Sequence, residues 1–280
     1  MRTKRRAALA LATAAAVGAG LIAFTGSASA LSFCTPAAPN PTAGNQSCVN
    51  GAITPNTGLG STFKNVSLFT HVSTKYLNPG NKASGGFAKT VSVLYDSDGR
   101  ITPGTIPTCT TAQLSGKNIA QAWATCGPGA GAAHNAYLSP ATGVSGRAST
   151  APPSNFNGCT LVFRGPNSGA NPTVVLYTRV TLVANGTANC NSPASNTGGN
   201  STVLLTGTIA PAGVAGFGKK LVTTGIDALP LPLDDFYATI QRGSYVQAKC
   251  TTAPLRIRAV FQYSGTGQAT DTANFSQPCS

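Results

Sequence analysis

The chain has 280 residues and a formal net charge of +13, although only 9% of its residues are charged and none is glutamate. This composition, rich in Gly, Thr, Ser, Asn and Val, argues against long amphipathic helices, which rely on Glu, Lys, Leu and Arg. It favours strands joined by turns, and the length is sufficient for one large β domain or two smaller ones.

Residues 1–30 have the three parts of a secretory signal peptide. The basic stretch MRTKRR leads into the apolar run AALALATAAAVGAGLIAF, and the small residues TGSASA follow. Cleavage after Ala30 would remove four of the 19 basic residues and leave a mature net charge of about +9. We therefore expect a secreted protein, extracellular or associated with the cell wall, with no transmembrane segment in its mature chain.

All eight cysteines follow the predicted signal peptide, and an even number in an oxidising compartment predicts four disulfides. Eight cysteines permit many pairings. We expect the sequential one, in which every bond closes a local loop: Cys34–Cys48, Cys109–Cys126, Cys159–Cys190 and Cys250–Cys279. The Pro- and Gly-rich segment 31–60 is predicted to be an N-terminal arm tied by the first of these bonds.

From residue 61 onward, short β-branched and aromatic runs alternate with Gly, Pro and Asn turns. The clearest run is PLRIRAVFQYSG, whose Leu255, Ile257 and Ala259 share one face while Arg256 and Arg258 share the other. This alternation is typical of a strand with one buried and one solvated side. Many such runs at short spacing, without βαβ alternation, predict an all-β domain over residues 61–280. We expect an antiparallel β-sandwich of the Ig-like or jelly-roll-like kind.

Residues 109–126, CTTAQLSGKNIAQAWATC, are the one helical exception. Ser115 can cap a short helix that carries Ile119 and Trp123 on its inner face, four residues apart. The two flanking cysteines are too far apart in sequence for a reactive dithiol or a zinc knuckle, so a structural disulfide is expected. Trp123 is a candidate ligand contact if it is exposed, and a core residue if it is buried.

No motif identifies a cofactor or metal site. GVAGFGKK (213–220) approaches a phosphate-binding loop, but Lys220 replaces the Ser or Thr that would hold magnesium, and a strand-like run follows instead of a helix. We interpret it as a glycine-rich hairpin turn. Asp96 and Asp98 are explained as parts of a Ser-Asp-Gly turn rather than as calcium ligands.

No catalytic residue is assigned either. The chain has no Gly-x-Ser-x-Gly and no His-Glu-x-x-His, and its two histidines, His71 and His134, occur in unrelated contexts. A glycosidase would need two of the six aspartates, but the adjacent Asp234 and Asp235 should point to opposite faces of a strand.

The basic excess is spread along the chain. Lys219-Lys220 and the pair Arg256 and Arg258 are its only local concentrations, and no aromatic stripe accompanies them as a nucleic-acid platform would require. Arg256 and Arg258 are candidate ligand contacts. The expected partners are anionic cell-wall polymers or another secreted protein, with no specific nucleic acid.

The order of several short motifs resembles that of a set of secreted, disulfide-containing, β-rich proteins of high-GC Gram-positive bacteria. The motifs are SVLYDSDGRI, TPGTIPTC, CGPGAG and LPLDDFYATI, followed by a closing cysteine. These proteins have no assigned activity, so the resemblance implies export and a β-rich fold and transfers no catalytic residue. The chain departs from the pattern at Gly129, where such proteins often carry an acidic residue or serine.

The leading hypothesis is a non-catalytic binding or structural protein of the cell envelope or the extracellular space. The first alternative is an extracellular hydrolase with an unrecognised site that includes His71 or His134. Such a site would place a histidine within hydrogen-bond reach of an aspartate and a serine. The second alternative is an inhibitor of secreted enzymes, which would present a rigid, disulfide-flanked loop.

Overall fold

The computed structural model describes residues 33–39, 44–81, 86–139, 143–150, 156–182, 190, 192–199, 201–265 and 269–280. The predicted signal peptide lies outside them. Their strands and α-helices, in chain order, are β1 (Gln46–Thr54), β2 (Lys64–Asn65), β3 (Ser67–Lys75), β4 (Ala88–Asp96), β5 (Gly99–Ile101), α1 (Thr111–Leu114), α2 (Ile119–Cys126), β6 (Gly146–Thr150), β7 (Phe156–Ser168), β8 (Asn171–Leu182), β9 (Ser201–Pro211), β10 (Phe217–Thr224), β11 (Leu233–Ile240), β12 (Val246–Ala248), β13 (Leu255–Tyr263) and β14 (Asp271–Gln277).

Eleven of these strands form one antiparallel sheet in the order β1-β3-β11-β6-β7-β8-β9-β10-β4-β13-β14. Its two outer strands, β1 and β14, lie against each other, so the sheet is nearly closed into a barrel. The antiparallel, mostly β class predicted from the sequence is confirmed, whereas a sandwich is not what this strand order shows. Alternation along a strand identifies an inner face, but it does not tell whether inner faces meet across two sheets or around one.

Side chains of β14 join the two edges of the sheet along a line that we call the seam. Near one end of the seam, the Ile53 N–H donates to Oε1 of Gln277 at 2.7 Å, and Nε2 of Gln277 donates to the Ile53 carbonyl at 3.1 Å. Near the other end, the Ser47 N–H donates to Oδ2 of Asp271 at 2.6 Å. Edge groups that would otherwise invite pairing with another chain are thereby satisfied.

A small three-stranded sheet, in the order β2-β12-β5, covers one end of the barrel, which we call the closed end. Val66, Val246 and Ala248 are buried there among the core residues that line the bottom of the barrel. Tyr245, which precedes β12, is fully buried in the same cluster. The opposite end, which we call the open end, carries the connection Gly225–Pro232 between β10 and β11, with a short 3-10 helix over Ile226–Ala228.

Helices α1 and α2 cover the outside of β7 and β8. Each begins with a capping box, in which Thr110 pairs with Gln113 and Asn118 pairs with Gln121. The prediction that Ser115 begins the helix was wrong, because Ser115 ends α1 and the second capping box starts a separate helix. The inner face of α2 is as predicted, with Ile119 and Trp123 both buried.

The four disulfides join the pairs that the sequence predicted: Cys34–Cys48, Cys109–Cys126, Cys159–Cys190 and Cys250–Cys279. The first ties residues 33–39 to β1. This strand lies within the segment 31–60 that was predicted to be an arm, and it forms an edge of the large sheet, paired with β3 over its whole length. Its sequence, QSCVNGAIT, lacks clear alternation because Asn50 and Gly51 occupy its middle.

The predicted hairpin at 213–220 is confirmed: β9 and β10 pair as antiparallel neighbours on either side of Ala212–Gly216. Gly213 and Gly216 adopt positive φ angles of 68° and 80°, which an L-residue rarely adopts. None of the helices in the described ranges combines the length and apolar character needed to cross a membrane.

Candidate ligand cavity

His71, the first histidine considered for catalysis, is buried, with 1% of its surface exposed. Its Nε2 lies 2.5 Å from Oδ1 of Asp235, and its Nδ1 accepts the N–H of Cys34 at 3.1 Å. Both ring nitrogens are therefore occupied, and neither is free to activate a nucleophile. The contact instead holds the disulfide-tied N-terminal residues against β3 and β11.

His134 is exposed and follows the 3-10 helix Pro128–Ala130. Within the described residues, no serine hydroxyl hydrogen-bonds to either histidine, so the serine–histidine–aspartate arrangement of the hydrolase hypothesis is not assembled there. The same residues contain no group of three or more His, Cys, Asp or Glu side chains that could hold a metal ion.

Trp123, a candidate ligand contact, is 7% exposed and belongs to the packing between α2 and the sheet. Its ring centroid lies 4.9 Å from that of Tyr137 in an edge-to-face arrangement. Gly127 and Gly129 approach it closely, and a Cβ at Gly127 would come within 2.7 Å of the Trp123 carbonyl oxygen. The glycines after Cys126 thus allow close packing around the indole.

Arg256 and Arg258, the other candidate contacts, lie on the outside of the sheet. Nε of Arg256 donates to Oδ2 of the buried Asp96 at 2.9 Å, and Nε of Arg258 donates to Oδ1 of Asn274 at 2.8 Å. Both guanidinium groups also stack on the ring of Phe217, at 5.4 and 4.9 Å from its centroid. The structure brings these two residues together on the Phe217 ring, whereas Trp123 packs against side chains of β7 and β8.

The interior of the barrel contains the feature that the sequence did not predict. A cavity of about 300 Å³ opens between β6, β7, β8, β9 and β11 at the open end of the barrel. Such a volume lies at the lower limit of small-molecule sites in proteins. Its lining consists of Ala148, Ser149, Thr150, Phe156, Thr178, Val180, Ser201, Val203, Leu205, Leu229, Pro230, Leu231, Leu233 and Phe236.

The cavity continues into the barrel. A second pocket of about 90 Å³ shares Leu205, Leu233 and Phe236 with the first and reaches the inner faces of β3, β4 and β10. An eleven-stranded barrel is wider than the eight-stranded barrels that side chains alone can fill. Several inward-facing apolar side chains, including Phe236 and Leu205, consequently remain only partly buried although they point away from the outer surface.

Three of the four hydroxyl groups in the lining are already hydrogen-bonded within the protein. The Ser149 hydroxyl donates to Oδ1 of Asp234 at 2.7 Å, and the hydroxyls of Thr178 and Thr160 lie 2.9 Å apart. Oγ1 of Thr150 accepts the Phe156 N–H at 2.9 Å. No lining residue is charged. The cavity can therefore receive apolar surface, but it offers little to balance a charge.

Asp234 lies just outside this lining, next to Ser149. Burial raises the pKa of its carboxyl group above the usual range, the Ser149 hydrogen bond opposes that rise, and the charge of Asp235 adds to it. The prediction that Asp234 and Asp235 point to opposite faces of a strand assumes regular pairing, which the structure does not have at this point. A register irregularity between Leu233 and Asp235 lets both carboxyl groups lie at the open end, where they line one small pocket.

Comparison of the chain with protein-family models, with curated proteins and with solved structures found no match. The cavity therefore has to be judged on its geometry alone.

The cavity was not predicted from the sequence, because each strand that lines it has the alternation of an ordinary half-buried strand. Alternation places Val203, Leu205 and Phe236 on an inner face, but it does not reveal that the faces stay apart. The run Leu229–Pro230–Leu231 at the mouth is the one local signal, since it places half-buried leucines beside prolines that cannot continue a strand.

Proposed function

We propose that the chain is an exported, non-catalytic binding protein that holds a small, uncharged, apolar molecule inside its barrel. The observation that carries this proposal is the apolar cavity of about 300 Å³, whose lining has no charged residue and whose hydroxyls are largely satisfied internally. An apolar ligand would bury its own surface and that of Phe236 and its neighbours, at roughly 25 cal/mol per Å².

Three further observations support export and a binding role. The four disulfides are typical of proteins that fold in an oxidising compartment, and the first 30 residues have the pattern of a signal peptide. The engagement of both nitrogens of His71 favours binding over hydrolysis. A cell-envelope or extracellular location remains part of the proposal.

The full chain should be expressed in a secreting bacterial host and recovered from the medium, where we expect an N-terminal sequence beginning at Leu31. The purified protein is then titrated with N-phenyl-1-naphthylamine, an uncharged apolar dye that fluoresces in apolar surroundings. Val203→Phe places a large side chain in the cavity, and we expect it to weaken dye binding at least tenfold, about 1.4 kcal/mol. Val214→Phe makes the same change at an exposed site near the closed end and should leave binding unaltered.

The absence of dye binding by the unmodified protein would contradict the proposed ligand class. Equal weakening by the two variants would show that the dye binds elsewhere. Retention of the full chain in the cells, with residues 1–30 intact, would contradict export.

A further inference from the structure

The closed end of the barrel gathers positive charge from distant parts of the chain. The sequence shows two adjacent pairs, but the fold adds cations from the small sheet to them. The resulting surface, which we call the basic end, comprises Lys64, Arg100, Lys219, Lys220, Lys249, Arg256 and Arg258. Only two aspartates, Asp96 and Asp98, lie among these residues in the described part of the chain.

Contacts connect five of the seven cations of the basic end. Arg100, Lys219 and Arg256 line one small pocket between the large and small sheets, together with Asp96. Arg100 and Lys249 lie over the Phe63 ring, at 4.1 and 5.2 Å from its centroid.

A second aromatic ring, that of Phe217, supports Arg256 and Arg258 in the same way. Stacking on an aromatic face holds a cation in place and leaves its outer side available to an anion. The two rings thus fix four of the seven cations.

The two aspartates pair with two of the seven cations, Lys249 at 3.6 Å and Arg256 at 2.9 Å, and leave five without an acidic partner among the described residues. Asp98 is buried and accepts the N–H groups of Thr251 and Thr252 at 2.5 and 3.1 Å. Asp96 is also buried, and its Oδ2 accepts hydrogen bonds from the backbone and side chain of Arg256. Within the ranges that the structure describes, the ammonium groups of Lys219 and Lys220 make no hydrogen bond or ion pair, so they are available to an external anion.

We propose that the basic end is a docking surface for a flexible anionic polymer that carries phosphate groups, such as an envelope polymer. The cations are distributed over the ends of β2, β5, β10 and β13 rather than converging on one point, which suits repeated charges along a chain better than a single small anion. Lysine ammonium groups and arginine guanidinium groups both bind phosphate oxygens.

A membrane surface fits less well. Val214, 41% exposed, is the only well-exposed large hydrophobic residue at this end among those described. Interfacial binding would need a larger apolar surface to insert.

The test uses fluorescently labelled long-chain polyphosphate as the probe and the mature protein, with binding measured by anisotropy over a range of salt concentrations. The triple variant Lys219→Gln, Lys220→Gln and Arg258→Gln removes charge without touching the Arg256–Asp96 pair. We expect its affinity to fall at least tenfold near 0.1 M salt. The slope of log K against log salt should decrease in magnitude by roughly two, the value for three lost phosphate contacts on a single strand.

The matched control removes the same number of charges elsewhere, as Lys75→Gln, Lys89→Gln and Lys117→Gln. We expect it to bind the probe almost as the unmodified protein does. An equal loss in both triple variants would mean that only net charge matters, and it would overturn a defined surface.

Two further probes separate the sources of negative charge. Tighter binding to polygalacturonate than to polyphosphate would overturn the phosphate assignment. Tighter binding to anionic phosphatidylglycerol vesicles, with the same sensitivity to the triple variant, would replace the polymer with a membrane. Far-ultraviolet circular dichroism confirms that each variant is folded before binding is measured.

Discussion

The two ends of the barrel are built from the same eleven strands but differ in how the interior is filled. At the closed end, the small sheet inserts Val66, Val246 and Ala248, and the space between the strands is packed with buried side chains. At the open end, the connection Gly225–Pro232 skirts the rim, and a cavity of about 300 Å³ remains between the walls. Among the described residues, only the closed end has an insert that fills the interior of so wide a barrel.

The buried aspartates at the two ends also differ in how fully they are hydrogen-bonded. At the closed end, hydrogen bonds hold the carboxylate of Asp98. Burial alone would raise the pKa of Asp98, but the hydrogen bonds from Thr251 and Thr252 and the charge of Lys249 outweigh burial and lower it. At the open end, Asp234 has fewer donors, and burial raises its pKa. The carboxylate at the closed end is stabilised by its hydrogen bonds, whereas the one at the open end lies beside the cavity with its charged form disfavoured by burial.

The largest effect is expected from Asp98→Ala at the closed end. This change removes a buried carboxylate that accepts the N–H groups of Thr251 and Thr252, and because hydrogen bonds to a charged acceptor are strong, we expect a loss of about 3 kcal/mol in the free energy of unfolding. Urea denaturation of the mature, oxidised protein measures it. Asp98→Asn keeps an acceptor oxygen and should lose clearly less.

The same pair of variants has a pH signature. Because the folded-state pKa of Asp98 is lowered, its contribution is present above the unfolded pKa of about 3.9 and is lost as the pH falls through the folded value. The difference between Asp98→Ala and the unmodified protein should therefore shrink in acid. A difference that stays constant down to low pH would contradict a role for the ionised carboxylate.

A matched pair of valine-to-phenylalanine changes compares the packing of the two ends directly. Val246→Phe forces a larger side chain into the filled closed end, and we expect it to cost about 2 kcal/mol. Val203→Phe enters the cavity and should leave the stability unchanged or raise it. Chemical denaturation of both variants provides the measurement. Similar losses in both would show that the open end has no room for the extra ring.

The smallest effect concerns the two side chains of the seam. Gln277, 8% exposed and near the closed end, makes two hydrogen bonds to Ile53, so Gln277→Ala should cost about 1 kcal/mol or slightly more. Asp271 makes its bond to Ser47 in a more exposed position near the open end, and Asp271→Ala should cost less. Hydrogen exchange of β1 would locate the loss. A larger loss of stability from Asp271→Ala than from Gln277→Ala would contradict the expectation that the seam is held more firmly near the closed end.

Local chemistry explains which parts of this structure are predictable from sequence. The strand at 255–263 is correct residue by residue, since Leu255, Ile257 and Ala259 are buried and alternate with the exposed Arg256. The hairpin at 213–220 follows from its glycines, and the disulfides follow from closing short loops. Each of these depends on neighbours close in sequence.

The features that were missed depend on residues distant in sequence. Strand β1 has little alternation of its own and is fixed by pairing with β3 and by the seam. The division of the helical segment into two helices is an exception, because a local capping box between Asn118 and Gln121 begins the second helix. The cavity has no local signature, because it is set by the number of strands between the two edges of the sheet.

The seam also constrains when the fold can be completed. Its contacts, from Ser47 to Asp271 and from Ile53 to Gln277, each join residues 224 positions apart. During synthesis from the N-terminus, β1 is made early and must wait for β14 before its free edge is covered. A chain that ends before residue 271 would keep that edge exposed however well its other strands were paired. Completion of the barrel therefore depends on a handful of side-chain hydrogen bonds between β1 and β14.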